Sequence, residues 1–111
     1  MMTWFDISPG IRRRTIASGP RLYQMYVELK KGAHMPPHKH HHEQIVHLVK
    51  GHVNLNVEGK PIEMKTGDSY LLEGNVSHGV DVLEDSIIID TFNPPREDLI
   101  EQDRKFASAI A

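Results

Sequence analysis

The apolar positions come in short runs punctuated by Gly and Pro, and most of these runs alternate. The clearest is HVNLNVE (52–58). There Val53, Leu55 and Val57 fall on one face and Asn54 and Asn56 on the other, the period of a half-buried strand. LYQMYVEL (22–29) alternates more loosely and ends in the turn KKGA, while QIVHLVK (44–50) ends at Gly51. GK (59–60) separates the 52–58 strand from PIEM (61–64), a hairpin signal. KTGD (65–68) reads as a turn, SYLL (69–72) as a short strand, EGNVSH (73–78) as a loop and GVDVL (79–83) as a strand. After EDS, the β-branched IIIDTF (87–92) predicts another strand, and NPPRED stops it. The tail LIEQDRKFASAI repeats apolar residues at 99, 100, 106, 107 and 110, which predicts a helix from about Asp98 with acids at its positive end.

Short strands joined by tight turns predict an all-β antiparallel sandwich or barrel with an appended helix. An α/β fold needs crossover helices, and no long helical pattern precedes residue 95. At 111 residues there is room for a single domain, 1–111, with a barrel over about 20–92 and a helix over about 98–110.

Composition narrows the chemistry. Hydrophobic residues make up 39%, enough for a core, and charged residues 25%, too few for a disordered tail. Cysteine is absent, which excludes disulfides, thiolate metal sites and a thiol nucleophile. The net charge of -2 argues against a nucleic-acid partner. No apolar run approaches the roughly 20 residues of a membrane span, and MMTWFDISPG does not read as a signal peptide, so the expected compartment is cytoplasmic. Residues 1–60 hold nine Lys and Arg against four acids and the remainder four against eleven, a split that suits contact between subunits. Arg12, Arg13 and Arg14 form a basic spot read as a solvated strand or a subunit contact. Trp4, Phe5, Tyr23 and Tyr26 are read as a cover for one side of the barrel or a dimer contact.

Histidine is the outlier, with eight in all and five between positions 34 and 42. In GAHMPPHKHHHEQ (32–44) an extended chain turns His38, His40 and His42 one way and Lys39 and His41 the other. Imidazoles at i and i+2 can reach one metal ion, and Pro36 and Pro37 stiffen the approach. His78, alone in a later loop, is the best distant partner. His47 lies off the face shared by Gln44, Val46 and Leu48, and His34 and His52 are read as structural.

These residues resemble the two motifs of the cupins, which form a double-stranded β-helix or jelly-roll barrel. Gly32, His38, His40, Gln44 and Gly51 match the first motif in spacing, and Gly67 and His78 match the second. Glu73, Asn75 and Val82 depart from the Pro, Gly and Asn usual there, and Gln44 replaces the usual Glu. Strand parity separates Gln44 from its neighbour Glu43, since only one of the two can face the interior. The resemblance implies one divalent metal (Ni, Zn, Mn, Fe or Co) held by His38, His40, Gln44 and His78, with His42 a poorer ligand by motif position. An all-neutral donor set leaves the ion's charge uncompensated and favours an anionic ligand.

Together HKHHHEQIVHLVKG, GNVSHGVDVLEDS and IIIDTFNPPRED resemble the KdgF-like cupins of pectin and alginate breakdown, which convert 4,5-unsaturated monouronates to their linear keto form. That likeness implies Asp90, Phe92 and Arg96 as the residues handling a small anionic sugar-like substrate, and a homodimer. Parity alone puts Ile88, Asp90 and Phe92 on one face, and that face can be inside or outside. Arg96 offers a bidentate partner for a substrate carboxylate, or a surface pair with Glu97 or Asp98. Two rival readings are a different metal-dependent cupin enzyme, a dioxygenase or sugar isomerase, and a non-catalytic module binding a small acid. The module predicts tight binding without turnover and an indifferent Asp90, and Asp90 facing solvent with Arg96 far from His78 would favour it.

Overall fold

The computed structural model describes residues 3–110, with side chains through residue 107. Eight strands follow one another: β1 (Phe5–Ser8), β2 (Ile11–Ser18), β3 (Tyr23–Leu29), β4 (His34–His38), β5 (Glu43–Val57), β6 (Lys60–Lys65), β7 (Ser69–Leu72) and β8 (His78–Asn93). A single helix, α1 (Glu97–Ile110), closes the chain. All pairings are antiparallel, in the order β1-β2-β3-β8-β5-β6, with β4 also on β8 and β7 also on β5. The strands β1 and β2 extend the sheet ahead of the expected start near residue 20.

Two pairs of short strands read from the sequence are in fact two long ones. The run 44–50 and residues 52–57 belong to β5, and 79–83 and 87–92 belong to β8. Each long strand runs through two halves of the one eight-stranded sheet. Residues 44–48 of β5 pair with 88–92 of β8, and β3 and β7 flank them. Past a bend, residues 53–57 pair with 78–82, flanked by β6 and β4. The bend falls where the β5–β8 register shifts between Leu48 and Val53. Gly51 sits there at φ 119°, and a Cβ on it would stand 2.1 Å from Ser86 Oγ. Only glycine suits that backbone and that approach.

The buried faces of the two halves share one core, with a cavity at the end that carries His38, Gln44, His78 and Phe92. Strict alternation in β3 sends Tyr23, Met25, Val27 and Leu29 into that core, where Val46, Leu48, Val53, Leu55, Val80, Val82, Ile88 and Phe92 meet them. Each such side chain contributes roughly 1.5–3 kcal/mol on full burial. At the cavity end Gln44 is paired with Phe92 in one half of the sheet and His38 with His78 in the other.

The basic spot at 12–14 is not a uniformly solvated strand. Alternation turns Arg12 and Arg14 outward, onto the Trp4 ring at 4.1 and 5.4 Å, and turns Arg13 inward. Arg13 is 1% exposed. It donates to Tyr23 Oη, Thr15 Oγ1, Asp103 Oδ1, Gln102 Oε1 and the Leu99 carbonyl, clamping α1 onto the sheet. Tyr23 is core, while Phe5 packs edge-on against Phe106 of the helix. No helix among the described residues is long and apolar enough to cross a membrane.

Candidate metal centre and its cavity

His38 ends β4, His40 lies in the following loop, and His78 begins β8. Two close approaches gather them. His38 and His78 are register partners across β4 and β8, with ring centroids 4.4 Å apart. The loop before β8 is tied to the histidine loop by the Asn75 N–H, which donates to the His40 carbonyl at 2.7 Å. Asn75 adopts φ 65°, a left-handed conformation that asparagine tolerates, so it serves where glycine is usual in the motif. Gly74 beside it leaves no room for a side chain, since a Cβ would meet the His41 carbonyl oxygen at 2.4 Å.

One nitrogen from each of His38, His40 and His78 lies within 4.8 Å of the others. The tautomers follow from the partners. His78 Nδ1–H donates to the Val76 carbonyl at 2.8 Å and His40 Nδ1–H to the His42 carbonyl at 3.1 Å, because a carbonyl can only accept. Each therefore presents a bare Nε2 lone pair. Burial holds all three imidazoles below the usual histidine range, His40 down to about 4, with nearby positive charge adding to the effect. They are neutral at physiological pH, the form that binds metal.

Gln44 completes the group. It is buried, while Glu43 next to it is exposed and accepts from Asn93 Nδ2. The amide orientation is set by Asp90: Gln44 Nε2–H donates to Asp90 Oδ1 at 2.9 Å. Gln44 Oε1 then faces His40 Nε2 at 3.2 Å. With Nδ1 carrying the His40 proton, this places two acceptors against each other, while His78 Nε2 is buried with no partner. Unpaired lone pairs converging in a buried pocket are costly unless a cation lies among them. The donor set fits a metal ion.

His42 is not part of this convergence. It is 6% exposed, with neither ring nitrogen hydrogen-bonded, and it sets its edge on Phe92 at 6.4 Å. Sequence parity placed it with His38 and His40, but the chain leaves extended geometry after His38. His47 and His52 bond outward to Ser69 and Glu63, and His34 pairs with Asp81.

A cavity of about 380 Å³ opens at this end, lined by His38, His78, Gln44, Asp90, Phe92 and Arg96, with Met25, Val46 and Leu55 deeper inside. Asp90 faces inward and is 6% exposed. Burial pushes its carboxyl up to about 7, against the opposing pull of the Gln44 hydrogen bond and the Arg96 charge. Arg96 lies just ahead of α1, its guanidinium 4.9 Å from the Phe92 ring centroid. It also pairs with Asp98 at 2.9 Å, so cavity lining and ion pair are both true of it.

Residues 25–89 match the family model described as a cupin domain. The chain is 39% identical over 99 residues to the pectin degradation protein KdgF of Dickeya dadantii (strain 3937), covering 87% of this chain and 90% of the relative. The structure of KdgF from Halomonas sp. superposes with a TM-score of 0.82 at 36% identity, covering 87% of this chain and 90% of that one. An RmlC-like cupin from Shewanella frigidimarina gives 0.83 at 33% identity, covering 88% of each chain.

Proposed function

The chain belongs to the cupin family and within it to the KdgF-like group, and from that premise we propose that it converts a 4,5-unsaturated monouronate to the linear keto form. One observation carries the reading: a protonatable carboxyl, Asp90, is buried in the same cavity as the Arg96 guanidinium and the imidazoles of His38 and His78, two of the three that converge. His38, His40, Gln44 and His78 would hold a divalent ion, which would supply Lewis-acid polarisation of substrate oxygens.

The chain's own residues do the rest. Arg96 receives the substrate carboxylate by charge-assisted hydrogen bonds. Phe92, flat beneath that guanidinium, walls the pocket. Gln44 occupies Asp90 Oδ1 and leaves Oδ2 for the reacting groups. With its pKa near 7, Asp90 exchanges protons in both directions at neutral pH. It delivers a proton to C4 and takes one from the water that adds at C5, giving a hemiketal. The bond from C5 to the ring oxygen then breaks, the ring oxygen keeping the electron pair and taking a proton, and C5 becomes a ketone. The C1 hydrate loses water to give the aldehyde, so the net change is an isomerisation without redox.

The inward Asp90 and its shared cavity with Arg96 and His78 are not the arrangement that would favour a non-catalytic module, and they support the catalytic reading. The test is to mix metal-loaded protein with freshly generated 4,5-unsaturated galacturonate and follow the alkene absorbance. Accelerated loss is expected, together with its abolition in Asp90→Asn at full metal content. No acceleration over buffer sinks the proposal.

A further inference from the structure

We propose that Asp98 is a positioning residue that turns Arg96 so the substrate carboxylate meets its end-on Nη1/Nη2 edge; this rests on the uronate reading above. A guanidinium carries five N–H groups in one plane. Asp98 takes the side-on edge, accepting from Nε at Oδ1 (3.0 Å) and from Nη2 at Oδ2 (2.9 Å). Phe92 covers one flat face. Nη1 has no hydrogen-bond partner among the described residues, and Arg96 lines the cavity beside His38, His78 and Asp90. The pair is lopsided in exposure, 14% for the Arg96 side chain against 61% for Asp98, so the carboxylate grips the guanidinium from the solvent side. The edge left over is the one that matches a second carboxylate bidentately.

The anchor is itself held. Asp98 stands in the first turn of α1, and the Arg96 carbonyl accepts the Ile100 N–H at 3.0 Å. The helix is in turn clamped to β2 through Arg13. Pro94 and Pro95 restrict the backbone leading into Arg96. An arginine tethered in this way loses little further freedom when the substrate arrives, whereas a free one must be ordered at that moment.

The experiment compares metal-loaded wild type with Asp98→Ala, Asp98→Asn and Glu101→Gln, an exchange further along the same helix. Asparagine keeps a helix-start acceptor, so it separates orientation of Arg96 from capping. KM for the unsaturated uronate is expected to rise about tenfold in both Asp98 variants with kcat within about twofold, the signature of lost binding. Asp98→Asn should melt with wild type, and Glu101→Gln should change neither constant. An unchanged KM in Asp98→Asn overturns the inference. If wild type turns over no unsaturated uronate, the uronate reading fails first. The inference is then read by titrating galacturonate against galactose: a wild-type preference for the acid that Asp98→Asn loses supports it. No wild-type preference, or one that survives in Asp98→Asn, overturns it.

Discussion

Gln44 and Asp90 share a hydrogen bond of 2.9 Å in which the amide donates and the carboxyl accepts. That bond decides which end of the amide faces the histidines, and it gives the glutamine a role that the usual glutamate lacks, because a carboxylate has no N–H to donate.

Gln44→Glu is the direct probe of that relationship. It sets a second carboxylate against Asp90, and two acids at that distance compete for one proton. Metal content measured by elemental analysis should match or exceed wild type, while turnover falls at least about tenfold. Wild-type turnover would show that the donor from residue 44 is dispensable.

Asp90 also leaves a mark on stability in metal-free protein. Its folded pKa of about 7 lies above the ordinary 3.8, so folding takes up a proton between those values. The native state therefore holds its full share of stability below about pH 4, loses it as pH rises towards 7 and is flat beyond. The buried histidines, held below their usual range, add the opposite slope in both proteins, so the Asp90 contribution is read as the difference in urea midpoint between chelator-treated wild type and Asp90→Asn. That difference should shift towards Asp90→Asn as pH rises from about 4 to about 7, and the variant should be the more stable protein at pH 8.

Metal binding separates His78 from His42. Only His78 offers a nitrogen to the cluster. A divalent ion at a hundredfold excess over its dissociation constant stabilises by about 2.7 kcal/mol, read as a rise in Tm. That rise should vanish in His78→Ala and persist in His42→Ala, whose cost is paid in packing against Phe92. A His42→Ala protein that purifies without metal would place His42 among the ligands.

Arg13 is expected to be the most sensitive charge in the chain. Arg13→Ala leaves Gln102 and the Leu99 carbonyl without their donor and Asp103 with only its bond from Thr15, which loosens α1 on β2. Removing one partner of such a buried pair costs ~3 kcal/mol, measurable by urea unfolding. Arg13→Lys should recover little of it, since an ammonium cannot span acceptors spread over two elements. Arg12→Ala, whose partner Glu28 is exposed, should cost under about 1 kcal/mol.

How much of this was legible beforehand differs residue by residue. The strand of Val53, Leu55 and Val57 follows from a side-chain period of two, which is local and survives without knowledge of any partner, whereas the choice of Gln44 over Glu43 came from motif position, parity saying only that the two face opposite ways. The His-x-His spacing and His78 were legible as motif positions. The burial of Arg13 was not, because three arginines in a row read as surface until alternation is combined with a helix that covers one face.

The sequence by itself determined the all-β architecture with its terminal helix and the small set of residues able to do chemistry, since periodicity, turn residues and donor types are properties of short windows. Only the tertiary structure decided that Asp90 points inward, that Arg96 lines the cavity and pairs with Asp98 at once, and that 43–57 and 78–93 are two long strands. The physical reason is register. Which face of a strand is covered, and which side chains meet across 46 residues as Gln44 and Asp90 do, depends on pairings between distant segments that no local pattern encodes.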